Sequence, residues 1–117
     1  MASITDLTLD QKSKVLSLSV DDGRSFDLSC EYLRVYSPSA EVRGHGPGQE
    51  VLQTGKEDVN IVAIEPVGNY AVRLVFSDEH DTGLYAWDFL IELGENKDDN
   101  WQDYLARLDE AGHQRKV

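Results

Sequence analysis

The chain has 117 residues, and its 22 acidic side chains outnumber its 11 basic ones, which gives a formal net charge of −11. That length suits one domain with a single core, and that charge repels phosphate backbones and anionic lipid, so we expect neither nucleic-acid nor membrane binding. Cys30 is the only cysteine, which excludes an internal disulfide. Together with the lack of a secretory leader or an apolar run near 18 residues, it predicts a cytoplasmic protein.

Alternating apolar residues predict strands in the first third of the chain. Residues 4–9 indicate a short strand, and residues 16–28 indicate a hairpin that turns at Asp21-Asp22-Gly23-Arg24. Ser29 follows as the predicted N-cap of a short helix, which Pro38 ends.

A second hairpin is predicted in the middle of the chain. Residues 59–67 and 70–76 are rich in β-branched and aromatic side chains, and Gly68-Asn69 between them is typical of a hairpin turn. Polar turn residues then lead into a helix that carries Trp87 and has Gly94 as its expected C-cap.

The last predicted element is a helix at about residues 100–111, where apolar side chains recur at i, i+3, i+4 and i+7. Its many acidic residues indicate a solvated face, with a docking face for a basic partner as the alternative. The whole pattern predicts one α+β domain over residues 1–117. In it, short antiparallel strands and hairpins pack with two or three helices.

Three of the nine glycines fall within the segment Gly44-His45-Gly46-Pro47-Gly48. Pro47 fixes its own φ and restricts Gly46, so the segment is predicted to be shaped rather than slack. Its spacing fits neither a dinucleotide fingerprint nor a P-loop, since no Lys-Ser or Lys-Thr closes it. No other motif indicates a catalytic constellation, and we expect no enzymatic activity.

Two motifs carry a resemblance to a known family. The first is Ser37-Pro38-Ser39-Ala40-Glu41-Val42 with Gly44-His45-Gly46-Pro47-Gly48-Gln49, and the second is Asp78-Glu79-His80 with Thr82-Gly83-Leu84-Tyr85-Ala86-Trp87. From about residue 4 to 93 the chain resembles the domain found at the N-terminus of γ-butyrobetaine hydroxylase and trimethyllysine dioxygenase, a family of unknown function called DUF971. The chain is too short to hold the oxygenase barrel of those enzymes.

The resemblance implies a zinc site in the dioxygenases, formed by three cysteines and one histidine. His80 keeps the histidine position, whereas Ser37, Ser39 and Val42 stand at the cysteine positions. Because none of those three is a competent structural zinc ligand, we expect no four-ligand zinc site. The alternative is a small metal- or ligand-binding protein in which His45, His80 and nearby carboxylates hold another divalent ion.

The resemblance also implies partners, because the family occurs alone and attached to larger proteins that include iron–sulfur-carrying P-loop ATPases. We therefore expect an interaction or accessory module with a protein partner, linked to iron–sulfur cluster assembly or delivery. Homo-oligomer contacts are a second option. The side chains expected at the binding surface are Arg43, His45, Gln49 and His80.

Overall fold

A computed structural model describes residues 3–39, 42 and 51–113 of the chain. Within them lie six strands and three helices. The strands are β1 (Ile4–Asp10), β2 (Val15–Val20), β3 (Ser25–Ser29), β4 (Ile61–Val67), β5 (Ala71–Phe76) and β6 (Leu84–Ala86), and the helices are α1 (Cys30–Val35), α2 (Trp87–Glu95) and α3 (Lys97–Glu110). This arrangement confirms the predicted α+β class.

The strands form two antiparallel sheets of three strands, in the orders β1-β2-β3 and β4-β5-β6. In the first sheet Leu16 pairs with Leu28 and Leu18 with Phe26, so the alternate residues of β2 and β3 share one face. Leu16 and Leu28 have no exposed surface. The two predicted hairpins are therefore present.

One main core takes side chains from both sheets and from the first two helices. Its buried members include Leu18 of β2, Leu33 of α1, Leu74 of β5, Tyr85 of β6 and Leu90 of α2. A second, smaller cluster contains Val35, Tyr104 and Leu108, and attaches α3 to the end of α1. In the described part of the chain no helix is long and apolar enough to cross a membrane.

Helix α1 begins as predicted, because the Ser29 hydroxyl accepts a hydrogen bond from the Tyr32 N–H at 3.0 Å. Three details differ from the sequence-based expectation. Residues 84–86 form the short strand β6 before α2, and α3 begins at Lys97 rather than near residue 100. Gly94 is not a C-cap, since α2 continues through Glu95 and ends on Asn96.

Gly94 has a packing role instead. A Cβ placed on Gly94 would lie 2.5 Å from Cγ of Phe26 on β3, closer than any real Cβ contact. Cγ lies on the axis about which the ring flips, so a ring flip does not relieve this overlap. The glycine is therefore required by the close approach of α2 to β3.

Replacing Gly94 with alanine tests this close approach. Helix propensity alone would favour alanine by about 1 kcal/mol, but the overlap with Phe26 costs about 1–3 kcal/mol, so we expect a net loss of stability. Urea unfolding measures it. The double variant Gly94→Ala/Phe26→Ala is the control and should lose less than the sum of the two single changes. A Gly94→Ala protein as stable as the wild type contradicts the packing role.

Candidate functional site

The candidate site lies where the C-terminal end of α1 meets the turn between β5 and β6. The turn is closed by two backbone hydrogen bonds, from Phe76 N–H to the His80 carbonyl at 2.9 Å and from Glu79 N–H to the Phe76 carbonyl at 3.0 Å. Glu79 has a φ of 71°, in the left-handed region that few residues other than glycine adopt. The turn therefore holds Asp78 and His80 at fixed positions on either side of a strained residue.

An ion network anchors this turn to two other segments. One carboxylate oxygen of Asp78, Oδ2, accepts from Arg34 Nε at 2.9 Å and from Lys56 Nζ at 2.6 Å. The Arg34 side chain is only 8% exposed, so its charge is largely shielded from water. Burial by itself raises the pKa of Asp78, but the hydrogen bond from Lys56 and the Arg34 charge together hold it below its ordinary value.

A cluster of hydroxyl groups lies beside the ion network. Ser37 Oγ is 2.9 Å from Nε2 of His80 and also accepts from the Ser39 N–H at 3.3 Å. Ser39 Oγ and Thr82 Oγ1 are 2.7 Å apart. The Ser37–His80 contact is buried, because Ser37 and His80 are 1% and 5% exposed, whereas Thr82 is exposed at the edge of the cluster. The residues after α1 are thus joined to the β5–β6 turn by short polar contacts, one buried and one partly buried.

Gly83 leaves space for this cluster. A Cβ at Gly83 would lie 2.6 Å from Ser37 Oγ and 3.0 Å from Cε1 of Tyr85, so a side chain here would displace the Ser37 hydroxyl from its present position. The same crowding bears on chemistry. A serine hydroxyl beside an imidazole resembles a nucleophile and its base, but a buried Ser37 has no room for a substrate carbonyl.

The positions that the resemblance implies as metal ligands do come together in part. Ser37 and Ser39 lie against His80 and Thr82 of the turn, and the Val42 N–H bonds to the Ser39 carbonyl at 3.0 Å. Their chemistry does not fit zinc, because two hydroxyls and a valine replace thiolates and Ser37 occupies Nε2 of the histidine. Within the described residues no three His, Cys, Asp or Glu side chains are grouped as metal ligands.

The other predicted surface residues, Arg43, His45 and Gln49, lie outside the described residues, so their role stays a prediction. His80 is buried beneath the turn. The residues that flank the 43–50 segment are joined to each other, since the Val51 N–H donates to the Val42 carbonyl at 2.7 Å. Both ends of the segment therefore meet at one point, next to Ser39.

Sequence reasoning missed Lys56 as a member of the site. The connector that carries it has no regular pattern, and its contact with Asp78 spans 22 positions. Asp78 lies in the second family-like motif and Arg34 lies three residues before the first, but nothing in the sequence indicated that the two side chains form an ion pair.

Three solved structures resemble this chain closely. One, determined by NMR in solution, is 57% identical with a TM-score of 0.84 and covers 98% of this chain and 86% of its own. A second NMR structure is 49% identical with a TM-score of 0.85, and the match covers 99% of this chain and 91% of the other. The third is a crystal structure of a DUF971 protein of unknown function from Acidithiobacillus ferrooxidans. It is 36% identical with a TM-score of 0.66, and the match covers 79% of this chain and 92% of the other.

The family model described as γ-butyrobetaine hydroxylase-like, N-terminal, matches residues 7–91. The chain belongs to this family. No curated protein matches it. The γ-butyrobetaine hydroxylase-like match includes α1, the ion network and the whole β5–β6 turn, and it ends before α3 begins at Lys97. Membership confirms the resemblance drawn from the two motifs, and it assigns no function, since the family is one of unknown function.

Replacing Asp78 with asparagine tests the ion network through its pH dependence. At pH 7 the change leaves Arg34 without its carboxylate and should cost about 1–3 kcal/mol of unfolding free energy. The folded pKa of Asp78 is depressed, so its contribution is present above the unfolded pKa near 3.9. That contribution is lost as pH falls through the folded value.

The stability curves of the wild type and Asp78→Asn should therefore converge below about pH 4. Urea unfolding at several pH values measures the difference, and the exposed strand residue Asp6, changed to asparagine, is the control. A constant gap between the wild type and Asp78→Asn down to pH 3 contradicts the assignment.

Glycine at position 79 should stabilise the protein. A left-handed φ costs a residue with a Cβ about 1–2 kcal/mol, and glycine removes that cost. The greater conformational freedom of glycine in the unfolded chain offsets about half of the resulting stabilisation. Glu79→Gly should therefore raise the unfolding temperature by a few degrees. Calorimetry measures it, with Glu79→Ala, which keeps the Cβ, as the control. Equal stabilisation by both changes would show that strain at Glu79 is not the cause.

Proposed function

We propose that this protein is a non-catalytic accessory module that binds a protein partner through the 43–50 segment and the adjoining turn at residues 78–82. The observation that best supports this is the fixed base of the segment. Val42 and Val51 are joined by a 2.7 Å backbone hydrogen bond, and Ser39 links that base to Thr82 on the turn. A recognition segment held on a rigid base loses less entropy on binding than a free one.

The surroundings of the base also favour a binding surface. Val51 is 52% exposed, a large apolar side chain at the end of the segment. Asp78 and Glu79 carry carboxylates on the same turn. The left-handed φ of Glu79 is a strained conformation, and such strain is more frequent at functional sites. Protein interfaces combine apolar and charged side chains of this kind.

The partner we propose is a P-loop ATPase that carries an iron–sulfur cluster, in the cytoplasm. Its support is the family resemblance, because related domains are attached to such ATPases, and the strongly acidic surface, which disfavours nucleic acid and anionic membranes. The module would assist assembly or delivery of the cluster, which is the cargo of the partner and not a group resident in this chain. Contacts between copies of the chain are the second option.

The alternative, a metal- or ligand-binding protein that uses His45, His80 and nearby carboxylates, has less support. Nε2 of His80 already contacts Ser37 Oγ at 2.9 Å, and its ring lies buried against Phe76 with 6.0 Å between centroids. Metal analysis of untagged protein tests this function. A stoichiometric metal that is lost in His80→Ala would favour it over the interaction module.

A titration calorimetry experiment with a purified iron–sulfur carrier ATPase tests the proposed surface. Replacing Arg43 and His45 together with alanine should weaken binding at least about tenfold, as loss of a central contact does. The matched control is Arg24→Ala/His113→Ala, which removes the same residue types from the β2–β3 turn and from the end of α3. It should bind like the wild type.

The outcomes separate the parts of the proposal. If the wild type does not bind the ATPase, this partner is wrong. If it binds and both double variants bind equally well, the 43–50 segment is not the surface.

A further inference from the structure

Helix α3 contacts both arms of chain that lead into and out of the 43–50 segment. The arm before the segment contains Val35 and Tyr36, and the arm after it contains Leu52 and Gln53. Buried Val35, Tyr104 and Leu108 form the smaller apolar cluster, and Tyr36, Leu52 and Trp101 pack against it. Both arms are therefore held on the same helix.

Polar contacts fix each arm separately. Tyr104 Oη donates to the Gln53 carbonyl at 2.7 Å, which holds the arm after the segment. On the other arm, Tyr36 Oη donates to the Asn100 carbonyl at 2.7 Å and accepts from Arg107 Nη2 at 3.3 Å. The Arg107 guanidinium also lies over the Tyr36 ring, 5.9 Å from its centroid. Each of these partners is on α3.

Few side chains of α3 are fully buried against the rest of the protein. Of its 14 residues only Tyr104 and Leu108 are buried. An isolated helix of this length is marginal in water, so α3 depends on its tertiary contacts to stay folded, and these also include the Trp101 ring against Tyr32 and Asn100 Nδ2 donating to Tyr32 Oη at 3.0 Å. Elements with few buried contacts open at a lower free energy than the main core does. Opening of α3 would free the arm after the segment and remove the α3 contacts of the arm before it, which Ser37 and Ser39 also join to the β5–β6 turn.

We propose that α3 is a clamp on the base of the 43–50 segment. Tyr104 is the positioning residue, because its hydrogen bond to the Gln53 carbonyl couples the docking of α3 to the position of the arm after the segment. The clamp lies outside the family-wide match, which ends at residue 91. The effect of the clamp on partner binding rests on the function proposed above. Its effect on the conformation of the segment's base does not.

Hydrogen exchange followed by NMR tests the clamp. Tyr104→Phe removes one hydroxyl and keeps the ring. The Val51 amide, which bonds to Val42, and the amides of α3 should then exchange about fivefold faster in parallel, the change expected for one lost hydrogen bond. The amide signals of Gly44, Gly46 and Gly48 should shift with them. Tyr36→Phe, which acts on the other arm, should give the same pattern.

Tyr85→Phe is the matched control, because it also removes a buried tyrosine hydroxyl, one that donates to the Leu33 carbonyl at 2.6 Å in the main core. It should leave the exchange of Val51 and the glycine signals unchanged. The clamp is overturned if Val51 responds equally to Tyr104→Phe and Tyr85→Phe, or to neither. If the glycine signals shift while affinity for the ATPase stays the same, the clamp stands and the proposed binding function of the segment fails.

Discussion

The carboxylate of Asp78 is the contact on which the candidate site depends. Through one oxygen it holds Arg34 of α1 and Lys56 of the connector, and through the other it accepts from the His80 N–H at 3.3 Å. Three segments that are distant in sequence meet there. Because Arg34 is nearly buried, the charge of Asp78 is required to compensate it, and that requirement fixes the turn relative to α1. The hydroxyl contacts of Ser37 and Ser39 with this turn form around an arrangement that the ion network already determines.

The sequence predicted those parts of the fold that depend on local chemistry. Ser29 was identified as an N-cap because its hydroxyl bonds a backbone N–H three residues away. Both hairpins followed from alternation and turn residues. The role of Gly94 could not be predicted, because it depends on Phe26, which is 68 positions away and on another element. Strand β6 has three residues and is stabilised by pairing with β5, so its own pattern is too short to indicate a strand.

The buried tyrosines also make long-range contacts that sequence patterns do not predict. Tyr32, Tyr85 and Tyr104 are 2%, 0% and 1% exposed, and periodicity treats them simply as apolar. Each hydroxyl donates to a backbone carbonyl of a distant segment, at Leu93, Leu33 and Gln53 respectively. Burial raises the pKa of Tyr32 to about 12, so its phenol stays protonated and remains a donor throughout the neutral range. The direction and the partner of these hydrogen bonds can be read only from the tertiary structure. These bonds nevertheless determine which segments are attached to the helices.

A joint made of an ion network and hydroxyls differs physically from one made by a metal. A four-ligand zinc site supplies much of the folding free energy of a small domain and is lost on chelation. Here the described part of the same region is joined by Asp78, Arg34, Lys56 and the Ser37–His80 contact, so its cohesion depends on the ionisation of Asp78. Sequence alone indicated that the ligands were replaced, and the structure adds what replaced their cohesion.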